Sequence, residues 1–210
     1  MCESAVQAKR VIAYIDGFNL YFGLKDGGWQ RYYWLNVVSL IEKLAPSDAK
    51  IDKVKYFTAK VTSPEPKRKR QTVYLEALEY GTSCEIIYGN YQTEAIYCTS
   101  CAKPFSVQKE KMTDVNIAVE MMKDAFQDNF DIAILVSGDS DLTPPVTTVI
   151  KLFPQKQVII RFPPNRYSND LDRQSTNSNT ITRVTLRDSQ LPEEVVKPDG
   201  YKLTRPETWK

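Results

Sequence analysis

Apolar, β-branched residues occur in short runs, separated by longer stretches whose apolar positions recur at helical spacing; this alternation predicts an α/β chain. Val11 to Ile15, Val54 to Val61, Cys84 to Tyr88, Ile132 to Ser137 and Val158 to Phe162 read as buried strands. Gly17, Gly23 and the pair Gly27-Gly28 predict a loosened segment after the first of them. Val37, Leu40, Ile41 and Leu44 then mark one face of a helix that Asn36 caps and that stops before Pro46. Ser63-Pro64-Glu65-Pro66 breaks the second strand ahead of a helix from about Lys67 to Tyr80, with Gly81 as its C′ residue. A third helix, Asp114 to about Phe126, carries Val115, Ala118, Val119 and Met122 at i, i+3, i+4 and i+7, which predicts a buried stripe, while Asn116, Glu120 and Asp124 form a second one. Thr143 is the expected cap of a fourth helix, with Pro144 at its first position. Asn90 to Lys111 reads as a long polar loop, Ser168 to Arg173 as a short helix and Ile181 to Leu186 as an edge strand. Strands separated by helices imply a mainly parallel sheet covered on both faces, hence a three-layer α/β/α sandwich. One domain over 1–187, with an extended, proline-rich tail docking over 188–210, is the expected organisation.

Two of the strands end in carboxylates. Asp16 follows the first and precedes Gly17; Ser137-Gly138-Asp139-Ser140-Asp141 follows the fourth. Open α/β sheets bind ligands at the carboxyl ends of their strands. If these two strands are neighbours, Asp16, Asp139 and Asp141 share one crevice, where their mutual repulsion calls for protons or a cation. Glycine beside two aspartates suits a hard cation and a phosphate. The plainer roles are a turn for Asp16, an Asx turn for Asn19 and a helix cap for Asp141, whereas Asp139 needs another explanation. Asp114, at a helix N-terminus, reads on spacing alone as a cap. Glu120, about a turn and a half further on, reads as a solvated or supporting residue.

Composition then narrows the chemistry. The 210 residues include no histidine, so Ser-His-Asp and Cys-His mechanisms are excluded within one chain, and hydrolysis would need carboxylates and a metal. A net charge of +2 is too small to mark the whole chain as a nucleic-acid binder. Four cysteines in a chain of this length are no disulfide framework, and only Cys98 and Cys101 are close in sequence. They supply half a zinc knuckle; zinc there, shared across a homodimer, and a redox pair are the open alternatives. No run reaches the roughly 18 apolar residues of a membrane span and no leader pattern opens the chain, so a cytoplasmic protein is expected.

Tyr-Ile-Asp-Gly-Phe-Asn-Leu-Tyr (14 to 21), Lys-Glu-Lys-Met-Thr-Asp-Val-Asn-Ile-Ala-Val (109 to 119) and Leu-Val-Ser-Gly-Asp-Ser-Asp-Leu (135 to 142) resemble, in order and spacing, the three signature blocks of the NYN domain, in its LabA-like branch, within the PIN-like nuclease superfamily. The resemblance covers roughly Arg10 to Ile181. It implies a PIN-like sandwich whose clustered carboxylates bind Mg²⁺ or Mn²⁺ and cleave RNA. By motif position Asp16, Asp114 and Asp139 are the implied metal ligands and catalytic residues, Asp141 completes the acidic pocket, and Asn19 and Ser137 orient ligands or contact phosphate. Asp114 thereby shifts from cap towards ligand. Many relatives have Gly-Val where this chain has Met112-Thr113.

A metal held by these aspartates would activate a bound water and neutralise phosphate charge. For substrate contacts, Lys67, Arg68, Lys69 and Arg70 form a dense basic run suited to a phosphate backbone or to a solvated face, and Arg161 and Arg166 are candidates for a basic rim. Tyr21, Phe22, Trp29, Tyr32, Tyr33 and Trp34 suit either base stacking or the core. The leading expectation is a metal-dependent ribonuclease with RNA as its partner; the alternative is a non-catalytic RNA- or nucleotide-binding module on the same fold. An aspartate phosphotransferase is disfavoured, because its second aspartate, two residues after the first, is here Phe18.

Overall fold

The structure is a computed structural model and describes residues 8–97 and 104–210. Six strands form the central sheet: β1 (Lys9–Asp16), β2 (Ala49–Thr58), β3 (Cys84–Tyr88), β6 (Ile132–Val136), β7 (Gln157–Phe162) and β8 (Asn177–Thr180). Their order is β3-β2-β1-β6-β7-β8 and every pairing in this sheet is parallel. The chain therefore starts in the middle, builds outward one way, returns and builds the other way. The crevice at the reversal, between β1 and β6, is where such sheets bind ligands. The expected adjacency is met, with Ile15 beside Val136.

Burial explains the composition of the two central strands. Every residue of β6 is buried, as is β1 from Val11 onward, which requires apolar side chains on both faces. Val11, Ala13 and Ile15 pack on the side of α1 (Gly17–Asp26), α2 (Val37–Leu44) and α3 (Glu65–Gly81). Ile12 and Tyr14 pack on the opposite side with α4 (Thr113–Phe126), α5 (Thr143–Leu152) and α6 (Asn169–Gln174). The result is the three-layer sandwich. Asn36 caps α2 as expected, its Oδ1 accepting from the N–H groups of Val38 and Ser39 at 3.1 and 3.0 Å.

Several local expectations are corrected. The loosened segment after β1 is the helix α1, because its glycines serve close approach: a Cβ on Gly23 would meet the Pro164 carbonyl oxygen at 2.5 Å. The polar loop is an antiparallel hairpin of β4 (Asn90–Tyr97) and β5 (Pro104–Lys111). In α4 the buried stripe is Ile117, Met121, Asp124 and Ala125, while Val115 and Val119 are 58% and 56% exposed. The helix is rotated so that Asp124 reaches a buried lysine on β2. The edge strand is β8, and the residues expected to form it belong partly to α7 (Arg183–Arg187). The chain then forms a small hairpin, β9 (Glu194–Val196) with β10 (Lys202–Thr204), and a 3₁₀ turn that buries Trp209 against Tyr33, Trp34 and Tyr74. Among the described residues no helix is long and apolar enough to cross a membrane.

Candidate active site

Asp16 ends β1 and caps α1, so one residue is both strand terminus and helix N-cap. Its Oδ1 accepts from the Asn19 N–H at 2.9 Å and its Oδ2 from the Ser137 hydroxyl at 3.0 Å. Ser137, at the end of β6, also accepts from the Asp139 N–H at 3.0 Å. The Asn19 carboxamide closes the crevice from the other side, its Oδ1 accepting from the Gly138 N–H at 2.9 Å. These bonds knit the β1–α1 turn to the loop after β6. Gly138 is required there by crowding, since a Cβ would meet the backbone carbon and oxygen of Arg166 at 2.7 and 2.8 Å.

Electrostatically the crevice is strained in one direction. Asp16 is only 3% exposed, and its carboxyl is pushed up to about 7, first by burial and then by the charges of Asp114 and Asp139, against the opposing hydrogen bonds from Asn19 and Ser137. Asp114 lies in the first turn of α4, so the helix between the two strand ends delivers the third carboxylate. Met112, just before this helix, has φ 79°, the left-handed region that favours glycine. This is the site of the sequence departure noted above, and the chain keeps the turn without the glycine.

The capping role expected of Asp141 falls to Asp139. Asp139, half-buried, caps the 3₁₀ turn Ser140–Leu142 by accepting from the Asp141 N–H at 3.0 Å, while Asp141 is exposed. Asp114 and Asp139 thus lie near enough to Asp16 for their charges to act on it, while the Asp141 side chain is at the solvent edge. Thr143, the expected cap of α5, is instead its first residue.

The basic candidates separate in the same way. Arg166 lines a cleft of about 300 Å³ with Asn19, Gly138, Asp139, Asn165 and Tyr167, and pairs with Asp26. Arg161 is not on this rim. It is buried on the α2 side of β7, donating to the Leu44 and Ile160 carbonyls and to Asn177 Oδ1, because its strand position faces that layer. Arg68 and Lys69 are exposed on α3, Lys69 pairing with Glu65 at 2.8 Å. Lys67 and Arg70, one helical turn apart, face a second cavity of about 320 Å³ that begins at Gly17, directly beyond Asp16. Tyr21, Tyr33, Tyr56, Tyr74 and Trp209 line it. Trp34, Tyr32 and Tyr33 are buried, as the core reading of the aromatics requires; Tyr21, Phe22 and Trp29 are half-buried.

Sequence reasoning missed two features. Tyr56 packs so closely that a Cβ on Gly17 would meet its ring at 2.6 Å, and strand alternation was the available signal for its inward position. Lys55, the adjacent residue on β2, is buried and bonds Asp124 Oδ2 and Glu120 Oε2 at 2.6 Å each. Tyr14 donates to the same Asp124 oxygen at 2.7 Å. Glu120 is therefore an ion-pair partner of Lys55 and not a solvated residue.

The NYN domain model matches residues 10–177, most of the chain and all three acidic positions. The chain belongs to the NYN domain family. Membership carries a PIN-like nuclease fold in a family that typically uses a divalent metal. This NYN domain is also similar to 6-hydroxy-3-succinoylpyridine 3-monooxygenase HspA of Pseudomonas putida, at 28% identity over 170 residues, covering 64% of this chain and 54% of that protein. The chain spans about half the length of this relative. A protein of unknown function from Vibrio parahaemolyticus, whose crystal structure is known, shares the fold with a TM-score of 0.59 at 18% identity, covering 90% of this chain and 99% of that one.

The donor set fits a hydrated hard cation. Its groups are carboxylates, the chemistry of magnesium and manganese sites, and the like charges around buried Asp16 are what a cation relieves. Among the described residues no three His, Cys, Asp or Glu side chains stand close enough to enclose an ion directly. Mg²⁺ meets that condition, because it keeps several waters and needs only one or two carboxylates. Cys98 and Cys101, with the zinc reading attached to them, lie outside the described residues. Cys84 is a free, half-buried thiol that burial pushes up to about 12, away from the thiolate form.

Proposed function

We propose that this NYN domain is a metal-dependent ribonuclease of the LabA-like branch, hydrolysing RNA phosphodiester bonds at the crevice between β1 and β6. The observation that carries the reading is the buried Asp16 carboxylate, held by Asn19 and Ser137 and pressed by the charges of Asp114 and Asp139. Asp16, with Asp114 and Asp139 around it, would hold a hydrated magnesium or manganese ion directly or through its waters, and that ion would supply an activated water and charge neutralisation at the phosphate. The Asn19 carboxamide, anchored through its oxygen on Gly138, retains its N–H donors for a phosphate oxygen. Ser137 fixes the Asp16 carboxylate and is a positioning residue. Arg166 offers a cation along the adjoining cleft, and the exposed Asp141, two residues beyond Asp139, would complete the acidic pocket from the solvent side.

Purified protein incubated with labelled RNA and DNA in magnesium, manganese or chelator tests the reading. RNA cleavage is expected with metal and not with chelator, and Asp16→Asn and Asp139→Asn are each expected to lower the rate by about 10²–10³-fold while circular dichroism stays unchanged. Wild-type rates in both folded variants would sink the assignment. RNA binding without cleavage in any metal would favour the non-catalytic RNA- or nucleotide-binding module. A second reading comes from the Pseudomonas relative, named as a monooxygenase of a succinoylpyridine: the substrate is then a small aromatic acid, and the aromatic cavity with cations at its mouth is what favours it.

A further inference from the structure

The cavity beyond Gly17 is absorbed by none of the roles above. At about 320 Å³ it lies at the small end of ligand pockets, which run from ~300 to ~1,000 Å³, so it has room for one ring system and not for a strand of nucleic acid. Its walls are aromatic: Tyr21 sits 4.9 Å from Tyr33, and Trp209 meets Tyr33 edge-on at 5.5 Å. Its mouth is cationic. Lys67 Nζ stands 5.5 Å over the Tyr21 ring, and Lys25 and Arg70 line the same cavity. Among the described residues none of these three cations forms an ion pair with a carboxylate. Burial and then the charges of Lys25 and Arg70 hold the Lys67 ammonium below its ordinary value, the mark of crowded like charges facing no anion of the protein.

We infer that this cavity is a subsite for one unpaired nucleotide, whose base stacks among Tyr21, Tyr33 and Trp209 and whose phosphate is met by Lys25, Lys67 and Arg70. An aromatic wall binds the face of any base, and a cation cluster at the mouth requires an anion attached to the ring. The position suits a neighbour of the scissile phosphate, because Gly17, which walls the cavity, directly follows Asp16. The RNA source of that nucleotide rests on the ribonuclease reading; the shared ligand chemistry, a flat ring bearing an anion, does not. A free pyridine carboxylate is the other source.

Calorimetric titration of the full chain in chelator, where no turnover occurs, separates the two. AMP and UMP are expected to bind, adenosine and ribose 5-phosphate each at least about tenfold more weakly, and nicotinate more weakly still. Tyr21→Ala is expected to weaken AMP roughly 5- to 150-fold, the range that one base stack represents. Lys67→Gln is expected to weaken AMP by a larger factor than it weakens adenosine, since it removes a phosphate contact as well as the ammonium over the Tyr21 ring. Absence of AMP and UMP binding overturns the subsite even if RNA is cleaved with manganese, and so does nicotinate binding more tightly than AMP. AMP binding that both variants weaken, in a protein that cleaves no RNA, would sink the ribonuclease reading and leave the subsite standing.

Discussion

Asp16 and Asp124 are both buried aspartates, 3% and 1% exposed, on one face of the sheet, and Tyr14, two residues before Asp16 on β1, binds Asp124 directly. Their surroundings differ in sign. Burial alone would raise the Asp124 carboxyl, but the hydrogen bonds from Lys55, Tyr14 and Asn129 outweigh it and hold it below its ordinary value. Around Asp16 burial is reinforced by two further carboxylates, and the carboxyl rises to about 7. The fold therefore neutralises one buried aspartate with its own lysine and leaves the other to a proton or an outside cation. That contrast sets a charge neutralised for architecture against one whose perturbed surroundings mark it as a candidate for chemistry.

The largest expected effect breaks the architectural side. Lys55→Ala leaves Asp124 buried without its ammonium and is expected to cost about 3–5 kcal/mol, read as a lower midpoint in urea. A cost under about 1 kcal/mol would mean that water reaches the pair and that the two aspartates are not distinct. Next comes the chemical side. Because the folded value of Asp16 is raised, its contribution to metal-free stability is fully present below the unfolded carboxylate range near 4 and is lost as pH rises through about 7. Asp16→Asn is thus expected to stabilise the metal-free protein at pH 8 by ~1–3 kcal/mol, with the advantage vanishing towards pH 4. Manganese should raise the melting temperature of wild type more than that of the variant. A pH-independent difference would show that Asp16 carries no unusual proton. The smallest effect concerns the approach to Asp114: Met112→Gly removes a left-handed cost of ~1–2 kcal/mol against a chain-entropy loss of ~0.4–1 kcal/mol, so a gain of about 0.5–1 kcal/mol is expected in thermal unfolding.

The sequence made the acidic ends of β1 and β6 legible because both strands are fully buried apolar runs, and made α2 legible because its cap chemistry is local. What it concealed depends on partners distant in the chain. α1 looked loose since its glycines are also turn formers, and only the loop at Pro163 and Pro164 explains Gly23. In α4 two apolar stripes compete, and the choice of Ile117 and Met121 over Val115 and Val119 follows from Lys55, a residue on another strand that lone spacing cannot supply. Asp139 and Asp141 were separated in role by one backbone hydrogen bond. Arg161 looked like a rim residue from its place near a strand end, but strand alternation turns it to the opposite layer.

The Asp16–Ser137 bond joins residues 121 positions apart, across strands that are neighbours in space. In the time order of synthesis, Asp16 is made early and its partner only after more than half the chain has followed, so a nascent or truncated polypeptide lacking β6 carries no assembled acidic centre. The acidic cluster is therefore complete only once the sheet has closed, and its assembly is a report on that closure.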